Sequence, residues 1–260
     1  MSARARTRPA VEAKGPAAYI AEAIGTFILV FAICGAVSAS AGEGLELNLA
    51  GLGLVHAIAL AVGIYTLGGT SGGHFNPAVT LALLTVGKIR GTDAAAYIVS
   101  QLVGALIAAL VVVLLFNDVG DTVNYAAPAI NDEVIPDGSP ALGLLAEAIG
   151  TGILMWAIMG MAVNPLAETA FAPLVIGLAL GVAAIIFGNA TSASLNPARW
   201  FGPAIASGEL DDFWVYILGP ILGACAAALG YRALVLRQRD LPETRPVDVL
   251  EQPVPGEPRR

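Results

Sequence analysis

Six apolar stretches, each long enough to cross a lipid bilayer, run through this 260-residue chain at about 17–40, 50–69, 94–116, 140–163, 171–189 and 213–235. A helix needs ~20 apolar residues to traverse the hydrocarbon. Only 13% of the residues are charged, about half the ~25% usual for a soluble domain. The pattern predicts an all-α membrane protein that crosses the bilayer several times. Two further apolar runs, at about 76–86 and 196–206, are too short to span. The first stretch has no small-residue cleavage site and is followed by five more, so it reads as a retained helix and not as a signal peptide.

The chain is also an internal duplication. Ala21-Glu22-Ala23-Ile24-Gly25-Thr26 recurs as Ala146-Glu147-Ala148-Ile149-Gly150-Thr151, with matches continuing to Gly35 and Gly160. Phe75-Asn76-Pro77-Ala78 is answered by Leu195-Asn196-Pro197-Ala198. Each half, about 17–116 and 140–235, therefore holds three spans and one short segment. Three is odd, so the second half enters the membrane from the opposite side. The repeats must be inverted, related by an axis in the membrane plane. Asn164-Pro165, between the halves, lacks a following Ala and reads as turn chemistry.

Charge gives the topology. Arg4, Arg6, Arg8 and Lys14 precede the first span, Lys88 and Arg90 follow the first short segment, and Arg232, Arg237, Arg239, Arg245, Arg259 and Arg260 lie at or beyond the end of the last. The opposite loops carry Glu43, Glu46, Asp118, Asp121, Asp132, Glu133, Asp137, Glu209, Asp211 and Asp212, with no Lys or Arg. By the positive-inside rule both termini are cytoplasmic. Arg199 alone departs from this pattern, and a cation at membrane depth is a functional candidate. Cys34 and Cys225 fall inside apolar spans and read as small buried hydrophobes. Neither a disulfide framework nor a metal or cofactor motif is expected.

The short segments carry the chemistry. Gly68-Gly69-Thr70-Ser71-Gly72-Gly73 leads into one and Gly188-Asn189-Ala190-Thr191-Ser192 into the other. Open backbone at membrane depth is tolerated only where it is buried in protein or lines a water-filled cavity. Asn caps a helix and Pro fits its first position, so each Asn-Pro-Ala should start a half-helix near the membrane centre. Inversion then sets the two N-termini face to face, each focusing about half a positive charge on one point. Cations, hydronium included, are repelled there. The side-chain oxygens of Asn76 and Asn196 would hold backbone N–H groups, leaving their NH2 groups to donate to a passing oxygen. A water held by both would turn its own hydrogens outward and interrupt a proton wire.

The stretch Ser71-Gly72-Gly73-His74-Phe75-Asn76-Pro77-Ala78-Val79-Thr80, with Leu195-Asn196-Pro197-Ala198-Arg199, resembles the aquaporin (major intrinsic protein) family. The resemblance runs from about 17 to 235 and takes in Glu22, Glu147, Tyr97, Gln101 and Gly219-Pro220. It implies a right-handed bundle of six transmembrane helices plus two re-entrant half-helices. It also implies a homotetramer in the lipid bilayer, with a pore in each protomer, in the plasma membrane. The channel domain would be 17–235, flanked by cytoplasmic tails at 1–16 and 236–260. The tails are rich in Pro and charge and read as unstructured.

The same resemblance implies an outer constriction of four positions. Twenty residues before Asn76 lies His56, twelve before Asn196 lies Ala184, and the loop members fall at Ala193 and Arg199. Strict water channels of the family usually place an aromatic and a His at the first two positions, and glycerol channels usually place two aromatics. His56 and Ala184 depart from both, and two Ala residues suggest a wider opening. Trp200 stands where glycerol channels usually carry Asp, while Tyr216 is water-channel-like and Ile217 is not. The expected function is passive conduction of water, with glycerol, urea, ammonia or hydrogen peroxide as further candidates, and exclusion of protons and ions. An aquaglyceroporin-type channel mainly for small polyols is the alternative.

Glu22 and Glu147 are intramembrane carboxylates at repeat-equivalent positions. They read as acceptors bracing the loops that carry Asn76 and Asn196, and His74 as a further loop brace, with pH gating a lesser alternative. An ion-coupled secondary transporter is the rival from another class, since inverted repeats and broken helices build those too. It would need coordinating carboxylates at the midplane, and Glu22 and Glu147 are the only candidates. The spans contain no Ser-His, paired-Asp or His-Glu constellation for an enzyme, and no nucleic-acid partner is expected.

Overall fold

The apolar pattern becomes eight α-helices in the computed structural model, which describes residues 12–42 and 46–236. Most of both expected tails, and Glu43, lie outside the described residues. The helices are α1 Pro16–Ser40, α2 Leu49–Ser71, α3 Pro77–Thr85, α4 Gly91–Asp121, α5 Pro140–Ile158, α6 Ala172–Thr191, α7 Pro197–Ser207 and α8 Phe213–Tyr231. Six are long and apolar enough to cross a membrane, and α3 and α7 are the two short ones. The chain is an integral, multi-pass membrane protein.

Local chemistry explains most boundaries. Pro sits in the first turn of α1, α3, α5, α6 and α7, where its missing N–H leaves no intrahelical bond unmade. Asn48 caps α2 by accepting from Gly51 N at 2.8 Å, and Gly72 ends it at φ +100°. The third span runs further than its apolar stretch. Helix α4 begins at Gly91 and passes through a kink at Phe116 (φ −124°) to Asp121. The apolar run stops at Phe116, but Asn117 to Asp121 continue the backbone where water satisfies polar side chains. Asn164-Pro165 does form a turn: Leu166 N donates to Asn164 Oδ1 at 3.1 Å and Ala167 N to Asn164 O at 3.1 Å.

The packing repeats as the sequence does. Helix α1 lies against α4 as α5 lies against α8, and α2 crosses α6 at the centre. The half-helices exchange partners, with α7 packing on α4 of the first repeat and α3 on α8 of the second. Helices approach closely because small residues face each other. A Cβ at Gly104 would overlap the Ala23 carbonyl oxygen, and one at Gly223 the Ala148 carbonyl oxygen. Gly223→Val is therefore expected to separate α5 from α8 and cost about 3 kcal/mol, lowering the melting temperature in detergent by several degrees.

Candidate functional site

Each half-helix is preceded by a loop that turns through left-handed backbone at three matching positions. These are Gly72, Gly73 and Phe75 in the first loop (φ +100°, +66°, +46°) and Ser192, Ala193 and Leu195 in the second (φ +58°, +43°, +53°). Left-handed backbone costs a non-glycine residue about 1–2 kcal/mol, so these loops need external support. A buried carboxylate provides it in both. Glu22 accepts from His74 N at 3.0 Å, Phe75 N at 2.7 Å and Gln101 Nε2 at 2.7 Å. Glu147 accepts from Ser194 N at 2.9 Å, Leu195 N at 2.6 Å and Thr191 Oγ1 at 2.7 Å. Both glutamates are fully buried. Their oxygens hold backbone N–H groups that α3 and α7 cannot use.

His74 adds a second tie to the first loop, its Nδ1 lying 3.1 Å from Thr80 Oγ1. Gln101 Nε2 also donates to Thr80 Oγ1 at 3.0 Å, and the Tyr97 hydroxyl donates to Ser71 O at 2.6 Å. The second loop lacks the His74–Thr80–Gln101 ties, because Arg199 and Trp200 replace Val79 and Thr80; there Ser194 Oγ donates to Asn196 O at 3.0 Å instead.

Asn76 caps α3, accepting from Ala78 N at 2.8 Å, and Asn196 caps α7, accepting from Ala198 N at 2.9 Å and Arg199 N at 3.4 Å. Pro77 and Pro197 occupy the first helical positions, with Ala78 and Ala198 fully buried behind them. The amide groups differ from the sequence expectation in one respect. Asn76 Nδ2 donates to Leu195 O at 2.9 Å, and Asn196 Nδ2 to Phe75 O at 2.9 Å. One N–H of each is thus held by the opposite loop, and only the second hydrogen is left for a solute. The reciprocal pair locks the two loops together and fixes the direction of the remaining N–H groups.

A cavity of about 280 Å³ runs from Lys88 and Val163, at the ends of α3 and α5, past Asn76 and Asn196 to His56 and Arg199. Much of its wall is aliphatic, with Leu60, Val79, Leu154 and Ile176 among its residues, and the two Asn residues supply polar groups between. His56 and Arg199 are both at least nine-tenths buried. His56 Nδ1 lies 2.8 Å from Leu52 O, and its Nε2 has no partner. A carbonyl can only accept, so in the neutral imidazole Nδ1 carries the hydrogen and Nε2 the lone pair. Arg199 donates through one terminal nitrogen to Ala126 O at 2.8 Å, while its Nε has no partner. Ala184 on α6 and Ala193 in the second loop are fully buried in the adjoining core, and the cavity lining at this end comes from His56 and Arg199.

The sequence profile described as Major intrinsic protein matches residues 10–231. The chain belongs to the aquaporin (major intrinsic protein) family. It is 37% identical over 224 residues to Aquaporin NIP1-1 of Zea mays, covering 86% of this chain and 77% of that one. It is 38% identical to the probable aquaporin AqpM of Archaeoglobus fulgidus, covering 83% and 96%. It is 37% identical to the glycerol uptake facilitator protein-like 6 of Lactiplantibacillus plantarum, covering 83% and 97%. Among solved structures, the aquaglyceroporin from Plasmodium falciparum superposes with a TM-score of 0.75 at 26% identity, over 87% of this chain and 99% of that one.

In this aquaporin, sequence reading missed the partner of Arg199. Asn124, Tyr125 and Ala126 lie in succession at φ +48°, +49° and +63°, a turn that aims the Ala126 carbonyl at the guanidinium. The Tyr125 hydroxyl anchors the turn by donating to Asn117 O at 3.0 Å. A backbone carbonyl leaves no trace in residue identity; Asn124, which tolerates left-handed backbone, is the one signal. Thr191, which supports Glu147 from the end of α6, was visible only as a small polar residue in the lead-in.

Proposed function

We propose that this chain is a passive membrane channel for water and small uncharged solutes, selective through His56, Ala184, Ala193 and Arg199. The reading rests on the mutually locked Asn-Pro-Ala turns abutting in one cavity that ends at His56 and Arg199. Two opposed helix N-termini and a guanidinium make the centre and outer end positive, so cations and protons are rejected. The remaining Asn76 and Asn196 N–H groups donate to a solute oxygen, while the aliphatic wall offers no competing site. Glu22, Glu147 and His74 act as braces and not as transport groups. Glu22 and Glu147 already accept three hydrogen bonds each, which disfavours the ion-coupled transporter.

The constriction presents donors from Arg199 and an acceptor from His56 Nε2, with the small side chains of Ala184 and Ala193 in the adjoining core leaving room around them. A solute with a carbonyl on one side and an N–H on the other, as in urea, meets both. His56→Leu is expected to lower urea permeability relative to water by about tenfold, the loss of roughly one hydrogen bond, whereas His56→Gln restores an acceptor. Parallel permeability measurements with water and urea check this. The relatives named as a glycerol facilitator and an aquaglyceroporin support polyols as a second solute class.

The loop charges favour cytoplasmic termini, the plasma membrane is the proposed location, and the proposed assembly is a homotetramer with a pore in each protomer. Stopped-flow swelling of proteoliposomes with water, glycerol and urea tests the channel. Fast swelling with a low activation energy and no dependence on ion gradients is expected; gradient-dependent uptake would overturn the reading.

A further inference from the structure

The two repeats differ on the face turned away from the pore, between α5 and α8. Glu147 follows Glu22 by 125 residues, and Gly223 follows Gly104 by 119. The glycine pair occupies equivalent places, because each packs on the carbonyl of an equivalent alanine, Ala23 or Ala148. By these offsets Phe27 corresponds to Gly152, Phe31 to Trp156 and Ile107 to Ala226. In the first repeat Phe27 and Phe31 stack with centroids 5.6 Å apart and planes within 4°. In the second repeat one ring and one isoleucine are missing. Their place is an open groove of about 620 Å³ over Gly152, Gly223, Ala226 and Ala227, edged by Ile149 and Trp156.

Its surroundings say what fills it. Both helices are membrane spans, and the groove's edges face outward, with Ile149, Trp156 and Leu222 exposed. In a bilayer that face meets hydrocarbon, and an empty apolar recess loses dispersion contacts. The α5 lining runs from Leu144 to Trp156, about 18 Å along the axis, comparable with one leaflet of a ~30 Å core. One end is marked: Trp156 packs edge-on against Tyr231 at 5.0 Å, and Arg232 follows. Aromatic rings and a guanidinium at a helix end suit the interface, where the cation can pair with a phosphate.

We infer that the α5–α8 groove is a site for one phospholipid, its acyl chain over Gly152 and Ala226 and its anionic headgroup at Arg232. Native mass spectrometry tests this on the full-length protein extracted from vesicles of equal dioleoyl phosphatidylglycerol and dioleoyl phosphatidylcholine. The wild type is expected to retain one phosphatidylglycerol per chain in preference to phosphatidylcholine. Gly152→Phe, which restores the ring that the first repeat has at Phe27, should lower retention about tenfold, as should Ala226→Ile at a more exposed position. Arg232→Gln should equalise the two lipids. Unchanged water permeability of Ala226→Ile in liposomes shows that the fold is kept. Retention unaffected by both groove substitutions, equal retention of the two lipids by the wild type, or loss of an oligomer in place of a lipid would each overturn the inference. The last outcome would assign the groove to a second copy of the chain.

Discussion

Glu147→Gln is expected to reduce osmotic water permeability about tenfold and to destabilise the folded protein by about 3 kcal/mol, because charge-assisted hydrogen bonds are worth roughly 1.5–3 kcal/mol each. The carboxylate accepts from Ser194 N, Leu195 N and Thr191 Oγ1. A carboxamide has one oxygen, so its NH2 must face one of those donors. The loop it supports holds Ser192, Ala193 and Leu195 in left-handed backbone, and loss of a brace lets these residues relax. Leu195 O, the acceptor for Asn76 Nδ2, would move with them. The damage should therefore cross into the other repeat. Glu22→Gln should act in the same direction but less strongly. The first loop has Gly72 and Gly73 at two of its three left-handed positions, and His74 and Tyr97 tie it separately. Stopped-flow permeability and thermal melts of the two variants, side by side, check the order. Equal losses would show that backbone strain does not set the demand for a brace.

The architecture was legible because membrane burial writes itself in residue type. A span needs an unbroken apolar run, and each of the six runs became a helix to within a few residues. The half-helices were legible for a different reason: Asn at a cap and Pro at the next position are local chemistry, independent of what packs around them. Contacts made by backbone atoms were not legible. Nothing in Leu195 or Phe75 announces that its carbonyl holds the opposing asparagine, and nothing in Ala126 announces that it faces Arg199. The kink at Phe116 and the π-helical turns at Met159–Val163 and Arg232–Leu236 likewise depend on how neighbouring elements meet. The solute range sits between these cases. His56 and Arg199 can be named by counting along the chain, but which of their nitrogens lack partners depends on Leu52 O and Ala126 O.

Arg199→Ala should have the largest effect on selectivity. The guanidinium is buried and held by a single side-chain bond to Ala126 O, with its backbone N on Asn196 Oδ1. Among the described residues lining the cavity, its charge is the one full positive charge at this end, since Lys88 lies at the other. A unit charge acting on a cation ~4 Å away is worth about 4 kcal/mol at an effective dielectric of 20. Water permeability should persist, because the Asn-Pro-Ala pair is untouched. Glycerol and urea permeability should rise several-fold as the side-chain volume is lost. A leak of small cations should become measurable, though the two helix N-termini still oppose it. Tyr125→Phe gives the graded comparison. It removes the bond to Asn117 O that anchors the turn presenting Ala126, so the guanidinium keeps its charge but loses its aim. That variant should widen the solute range slightly without admitting cations. Swelling assays and a cation-flux assay on both variants separate size from charge: if Arg199→Ala leaves both unchanged, the filter lies elsewhere in the cavity, and the field of α3 and α7 alone must exclude ions.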